Sequence, residues 1–274
     1  MEGPGAAALA RAAAEGGADR VVAIGGDGTA LDVASGLLAS RRSVPMAHVP
    51  RGTANVLALN LGIPTSLGGA IAAAVHGVVT RIDVGRLGAE PFLLSVGTGL
   101  HADIVVRADR RAKRRWGVMA YVWAGWRSIE DAVVARYRVT VDGEEQEIEG
   151  TMIQVMNCGA MLLRRSWLMG PGISPADGLL DVLVYRARSL PEYARVAARV
   201  VQGAPTATTL VLHRRGERVR IEADRDVAVQ RDGEPAGSLP VEIGVLRRAL
   251  PVVVPAGSPW ADAAGAGRVG AVSA

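Results

Sequence analysis

Two short glycine-rich runs carry the clearest chemistry in this chain. Ile24-Gly25-Gly26-Asp27-Gly28-Thr29 and Pro50-Arg51-Gly52-Thr53-Ala54-Asn55 each follow an apolar stretch and precede a helical pattern. A phosphate is held by backbone N–H donors that must approach closely, and glycine removes the side-chain bulk that would stop them. The helix that follows adds unsatisfied N–H groups and the positive end of its dipole. Thr29 can donate a hydroxyl hydrogen bond. In the second run Thr53 is expected as cap and donor, and Asn55 as a neutral hydrogen-bonding group. Asp27 stands out, because a carboxylate beside a polyanion is repelled unless a cation lies between them or the carboxylate handles a proton. Either run alone is also an ordinary glycine-rich turn. Two such loops on neighbouring strands would lie side by side at the carboxyl ends, where open α/β sheets bind ligands. Neither the G-x-x-x-x-G-K-[ST] phosphate loop nor the G-x-G-x-x-G dinucleotide fingerprint occurs.

Carboxylates form two further constellations. In Asp177-Gly178-Leu179-Leu180-Asp181 two acids four residues apart flank a turn, and could converge on a hard cation through oxygen ligands. The same run also reads as a turn leading into a strand. Asp232-Gly233-Glu234 by itself is a hairpin turn. The four histidines show no metal-ligand spacing, and the single Cys158 excludes an internal disulfide and a multi-cysteine metal site. Cys158 reads as a buried thiol in a reducing, cytoplasmic setting.

The elements that must hold these residues follow from periodicity. Residues 6–15 form a helical pattern of small side chains. Val21 to Ile24 is a short buried strand, Thr29 to Ala39 a helix, Pro45 to Pro50 a strand and Thr53 to Leu61 a helix stopped by Gly62 and Pro64. Ser66 caps a further helix reaching His76. This alternation is that of an open α/β sheet. Near residues 80–84 the rhythm changes. Arg81 to Leu87 and Pro91 to Val96 read as strands, and residues 101–134 as helical. Arg136 to Val141 and Glu145 to Glu149 flank the Asp142-Gly143 hairpin signal. Thr151 to Met156, Leu179 to Tyr185, Thr208 to Arg214, Arg218 to Ala223 and Val227 to Gln230 are further strands, with one helix over Pro191 to Val201. The expected organisation is an α/β nucleotide-binding domain over 1–82, a β-rich domain over 83–244, a segment over 245–257 that packs back on the first domain, and a disordered tail over 258–274.

Composition narrows the class. The chain has 274 residues and 49% hydrophobic residues, enough for one large or two modest cores and too many for a disordered chain. A single Phe leaves the core to Val, Leu, Ile and Ala. A net charge of +4 favours anionic partners without choosing among them. No run reaches the roughly 18 uncharged apolar residues that span a bilayer, and the start lacks the regions of a signal peptide.

Taken in order, the Gly25–Thr29 loop, the Gly52–Asn55 loop running into Asn60-Leu61-Gly62-Ile63-Pro64, and Asp177-Gly178-Leu179-Leu180-Asp181 resemble the diacylglycerol kinase catalytic-domain family of bacterial diacylglycerol and sphingosine-kinase-like lipid kinases. The resemblance runs from about residue 8 to 256. It implies a small nucleotide-binding α/β domain, NAD-kinase-like in its open sheet, followed by a β-sandwich-rich domain. It also implies roles. Gly25, Gly26, Asp27, Gly28 and Thr29, with Gly52, Thr53 and Asn55, would hold the phosphates of ATP. Asp177, Asp181 and the Leu180 carbonyl would hold Mg2+. Asp232 would be the general base for a lipid hydroxyl and Glu234 would help orient metal or water, with Asp27 as the rival base. Carboxylates plus Mg2+ suffice, since phosphoryl transfer needs mainly positioning and charge neutralisation. Two positions depart from the usual pattern. His101 stands within Gly99-Leu100-His101-Ala102 where members carry a Gly-Phe-Asp-Ala-like run, and Val56 stands where many carry Asp. Members also usually have a further strand, glycine-rich loop, helix and strand ahead of the position of Met1, so the chain is expected to be N-terminally short.

The expected function is therefore ATP-dependent phosphorylation of a lipid hydroxyl, diacylglycerol or a relative. The alternatives are a NAD-kinase-like phosphotransferase with a soluble acceptor, and a non-catalytic nucleotide- or lipid-binding protein. Six Lys/Arg between Arg107 and Arg115, followed by Trp116, Met119, Trp123 and Trp126 on one helical face, suit the anionic inner surface of a membrane. So does the run from Met161 to Met169. No recognition-helix pattern for DNA appears, so nucleic acid is not expected as a partner. Homodimerisation is left open.

Overall fold

The computed structural model describes residues 5–100, 134–159, 172–202, 206 and 208–261. The helical stretch expected over 101–134 and both expected membrane-contact segments lie almost wholly outside them. The chain divides into two compact units. One comprises Met1–Val84, Pro175–Asp177 and Leu246–Ala274, the other Gly85–Ser174 and Gly178–Val245. The sequence reading put the divisions at 82 and 244, and left Pro175–Asp177 in the second domain. Strands β3 (Val78–Leu87) and β14 (Val241–Val254) carry the chain from one unit into the other.

The first unit is built on β1 (Val21–Gly25) and β2 (Met46–Pro50), paired in parallel from Val21↔Met46 to Gly25↔Pro50. Parallel strands need a crossover, and α2 (Asp27–Leu38) supplies it. The C-terminal end of β14 joins the other side of β2 in parallel, at Val252↔Met46. Small residues let the helices approach closely. Ala10 and Ala14 of α1 (Ala6–Glu15) and Ala30 and Ala34 of α2 are buried where the two helices pack. Helix α4 (Leu67–His76) packs on β2. The short α3 (Val56–Leu61) buries Leu57, Ala58 and Leu61.

Two antiparallel sheets make the second unit. In one, β11 (Arg218–Ala223) lies between the N-terminal end of β14 and β6 (Ala135–Val141), which turns at Asp142-Gly143 into β7 (Glu144–Gly150). The other runs in the order β10 (Val211–Gly216), β9 (Leu180–Tyr185), β8 (Met152–Met156), β5 (Ser95–Gly99), β12 (Ala228–Arg231), β13 (Glu234–Ser238). Residues from both sheets, among them Tyr137, Val139, Val219 and Ile221 from one and Val96, Ile153, Val155 and Val182 from the other, form one buried core. Alternation along each strand places this apolar set on the inner face. Met152, Met156, Leu183 and Tyr185, with Val196 of α5 (Leu190–Val201), form a smaller core. The mixed α/β architecture, with an open sheet and a β-sandwich, is the expected class.

Three boundaries differ from the sequence reading for local reasons. The strand expected over Pro91 to Val96 is two, β4 (Glu90–Phe92) and β5, because the N–H groups of Leu93, Leu94 and Ser95 turn toward one carboxylate. The helix expected from Thr53 begins at Val56, because Asn55 adopts φ +50. The tail expected from residue 258 is ordered at its start, where Ser258 is buried and hydrogen-bonded.

Candidate functional site

The two glycine loops meet. Gly25 ends β1 and pairs in register with Pro50, so both loops leave the carboxyl ends of adjacent parallel strands. The Arg51 N–H donates to the Gly25 carbonyl at 2.7 Å. A Cβ on Gly52 would lie 2.5 Å from the Gly26 Cα, and one on Gly26 would lie 3.1 Å from the Gly52 Cα. Backbone therefore rests on backbone, and no side chain fits between. Above Gly28, by contrast, a Cβ would meet nothing within 4 Å, which leaves that side open to a ligand. Gly26 is the N-cap of the twelve-residue α2, so the first N–H groups of that helix open onto the same place.

The second loop is closed by its own asparagine. The Gly52 N–H donates to Asn55 Oδ1 and Asn55 Nδ2 donates to the Gly52 carbonyl, both at 2.8 Å. Thr53 is exposed. It does not cap α3 as expected. That cap comes from the first loop, because Asp27 Oδ2 accepts from the Val56 N–H at 3.1 Å and Oδ1 from the Leu57 N–H at 2.9 Å. Asp27 thus ties the two loops together. Nothing in local spacing announced this, since the partners are 29 and 30 residues away.

Sequence reasoning missed His48. It lies on β2 opposite Ala23, is only 2% exposed, and neither ring nitrogen has a hydrogen-bond partner. Burial pushes its pKa below the ordinary histidine value. The Asp27 carboxylate, and a contact with the Ala23 backbone that falls outside hydrogen-bond geometry, pull the other way. The only sequence signal is a histidine inside an otherwise apolar strand, directly before the second loop.

In the second unit Asp232 sits at the β12–β13 turn with φ +47. Its Oδ2 accepts from the Leu93 N–H at 2.7 Å, and its Oδ1 from the Leu94 and Ser95 N–H groups, both at 2.9 Å. This carboxylate pins the corner between β4 and β5, a structural task that the sequence did not show. Glu234 opens β13 opposite Arg231 and is exposed. Asp181 is buried on β9, where its Oδ1 meets His213 Nε2 at 2.6 Å and Arg215 Nε at 3.2 Å. Its Oδ2 is buried without a partner, a hard oxygen of the kind Mg2+ takes. Leu180 is buried beside it, while Asp177 is exposed and belongs to the first unit. Among the described residues no three His, Cys, Asp or Glu side chains cluster as a metal site. His213 was also missed, because only the antiparallel pairing of β9 and β10 brings it to Asp181. Cys158 is buried, with its Sγ 3.2 Å from the Leu93 carbonyl.

Comparison with known proteins bears on this arrangement. Residues 2–87 match the diacylglycerol kinase catalytic domain, and residues 94–254 match the YegS C-terminal NAD kinase beta sandwich-like domain. The chain belongs to the diacylglycerol kinase family. An uncharacterized protein of Synechocystis sp. is 31% identical over 240 residues, covering 86% of this chain and 54% of its own length. The diacylglycerol kinase of Bacillus subtilis is 26% identical over 240 residues, covering 86% of this chain and 78% of that protein. The chain thus spans about half of the first relative and about three quarters of the second. A crystal structure of a diacylglycerol kinase from Bacillus anthracis shares the fold with a TM-score of 0.74 at 22% identity, over 93% of this chain and 84% of that one. Within this family the paired loops are the candidate phosphate site. Among the described residues no helix is long and apolar enough to cross a membrane.

Proposed function

We propose that this protein is an ATP-dependent lipid kinase that transfers the γ-phosphate to a lipid hydroxyl, with diacylglycerol or a close relative as acceptor. The observation that carries the reading is the backbone contact of Gly26 with Gly52, which merges two N–H-rich loops into one cradle open above Gly28. The phosphates of ATP would rest on the N–H groups of Gly26, Asp27, Gly28 and Thr29 and on that of Thr53, with the Thr29 hydroxyl as a further donor, while the Gly52 N–H, held by Asn55 Oδ1, shapes the second loop. Asp177, the Leu180 carbonyl and Asp181 Oδ2 would hold Mg2+, whose charge offsets that of the transferred phosphoryl group. The acceptor hydroxyl loses its proton to a carboxylate as its oxygen attacks phosphorus and ADP leaves. Asp27 suits that task better than Asp232. It already belongs to the phosphate loops and accepts two N–H bonds, whereas Asp232 accepts three. Glu234, exposed at the start of β13, would orient metal or water. Cytoplasmic action at the anionic inner face of a membrane fits the net charge of +4.

Purified protein incubated with labelled ATP, Mg2+ and a total lipid extract should yield a labelled, organic-soluble product. No labelled lipid from any fraction would sink the reading. Label transferred to NAD would favour the soluble-acceptor phosphotransferase instead. ATP binding with no transfer would favour a non-catalytic nucleotide-binding protein.

A further inference from the structure

Helix α3 has six residues, too few to hold itself together in water. It nevertheless follows directly on the second phosphate loop, so its position fixes that loop. At its start Asp27 takes the N–H groups of Val56 and Leu57. At its end four carbonyls need donors. Gly62, with φ +69, turns the chain so that the Ile63 N–H reaches the Ala58 carbonyl at 2.8 Å and the Gly62 N–H reaches Leu59 at 3.3 Å. The carbonyls of Asn60 and Leu61 remain, and both are met from about two hundred residues away in sequence. Trp260 Nε1 donates to the Asn60 carbonyl at 2.7 Å, and Ser258 Oγ donates to the Leu61 carbonyl at 2.8 Å. The Ser258 hydroxyl also accepts from the Trp260 N–H at 3.3 Å, and the Ser258 N–H donates to Pro255 at 2.9 Å, so the segment is a formed turn.

We infer that Ser258 and Trp260 are positioning residues for nucleotide binding, which act through α3 on the Gly52–Asn55 loop. With them in place every terminal carbonyl of α3 is bonded, and the helix is clamped between the first glycine loop and the C-terminal turn. Without them its last turn frays and the loop that it anchors drifts from Gly26. The inference rests on the proposed ATP site, and its test is chosen to separate the two. Trp260→Phe keeps the ring and loses the donor, Ser258→Ala loses the hydroxyl, and Ser258→Thr keeps it as the conservative control. Amide hydrogen exchange of the full chain without nucleotide should quicken about tenfold over 52–61 in Trp260→Phe and Ser258→Ala, while β5 and β8 stay protected. Calorimetric ATP binding should weaken about five- to tenfold in the same two variants and not in Ser258→Thr. Unchanged exchange over 52–61 would overturn the inference. So would quickened exchange with unchanged ATP affinity, which would leave the turn a helix anchor only. Failure of the wild-type chain to bind ATP would instead sink the proposed function, and the exchange experiment would still decide whether the turn holds the loop.

Discussion

Gly26 and Gly52 show how little room the candidate site leaves at the scale of single residues. Gly52→Ala places a methyl 2.5 Å from a backbone carbon that cannot turn away, so the two loops must part. ATP affinity should fall at least tenfold, about 1.4 kcal/mol or more, with the far-ultraviolet circular dichroism unchanged. Titration of the variant with ATP reads this directly. Asp27 and Asp232 invite a paired comparison. Asp232→Ala strips three N–H groups at the β4–β5 corner of their acceptor and should cost about 2–4 kcal/mol in denaturant unfolding. Asp232→Asn keeps one carbonyl oxygen and should recover part of that loss. If Asp27 is the base, Asp27→Asn should lower kcat about a hundredfold or more, and Asp232→Asn should lower it far less. The reverse order would restore Asp232 to the role implied by the family resemblance.

At the scale of elements, β2 carries a titratable group where an apolar residue would pack without consequence. His48 is buried and neutral in the fold, with a pKa below the ordinary value of 6.5. The unfolded chain therefore takes up the proton first as pH falls. Stability should begin to drop below about pH 6.5 and go on dropping until the folded-state pKa is reached. Replacing His48 with Leu should flatten that part of the profile. Urea midpoints at about pH 7.5 and 5.5 would measure the difference, and equal slopes for the two proteins would dismiss His48 as the source. The charge ladder on the sheet around β6 and β11 is a different case. Arg138 meets Glu145, Glu147 and Glu222, and Arg220 meets Glu222 and Glu242, but all these groups are solvated. The raised pKa of the Arg138 and Arg220 guanidinium groups reflects favourable pairing on a wet surface, not the strength of the fold.

For the whole molecule the net charge of +4 is the relevant quantity. Contact with an anionic bilayer, as proposed above, should be electrostatic, because the excess of positive charge is what would draw the protein to such a surface. Co-sedimentation with phosphatidylglycerol vesicles should fall several-fold as salt rises from about 0.05 M to 0.5 M, since screening shortens the reach of each charge to a few ångströms. Ser replacement of Arg110, Arg111, Arg114 and Arg115 should weaken it further. Salt-independent binding would point to apolar insertion instead.

Much of this was legible in the chain alone. The two glycine loops, the alternation of strand and helix up to residue 80 and the run of short strands after residue 135 follow from local rules, because turns, caps and periodicity are set by neighbours within a few residues. Family membership was legible for the same reason, being carried by short motifs in order. Tertiary structure decided what those motif residues do. Asp27 spans 29 residues to cap α3, Asp232 spans 137 to 139 to pin Leu93, Leu94 and Ser95, and Trp260 spans 200 to reach Asn60. His48 and His213 acquired their partners, or their lack of them, only when strands were paired. A hydrogen bond depends on a few ångströms in space, and sequence spacing fixes such distances only within one turn or one hairpin. Across longer separations the packing of helices and sheets sets them.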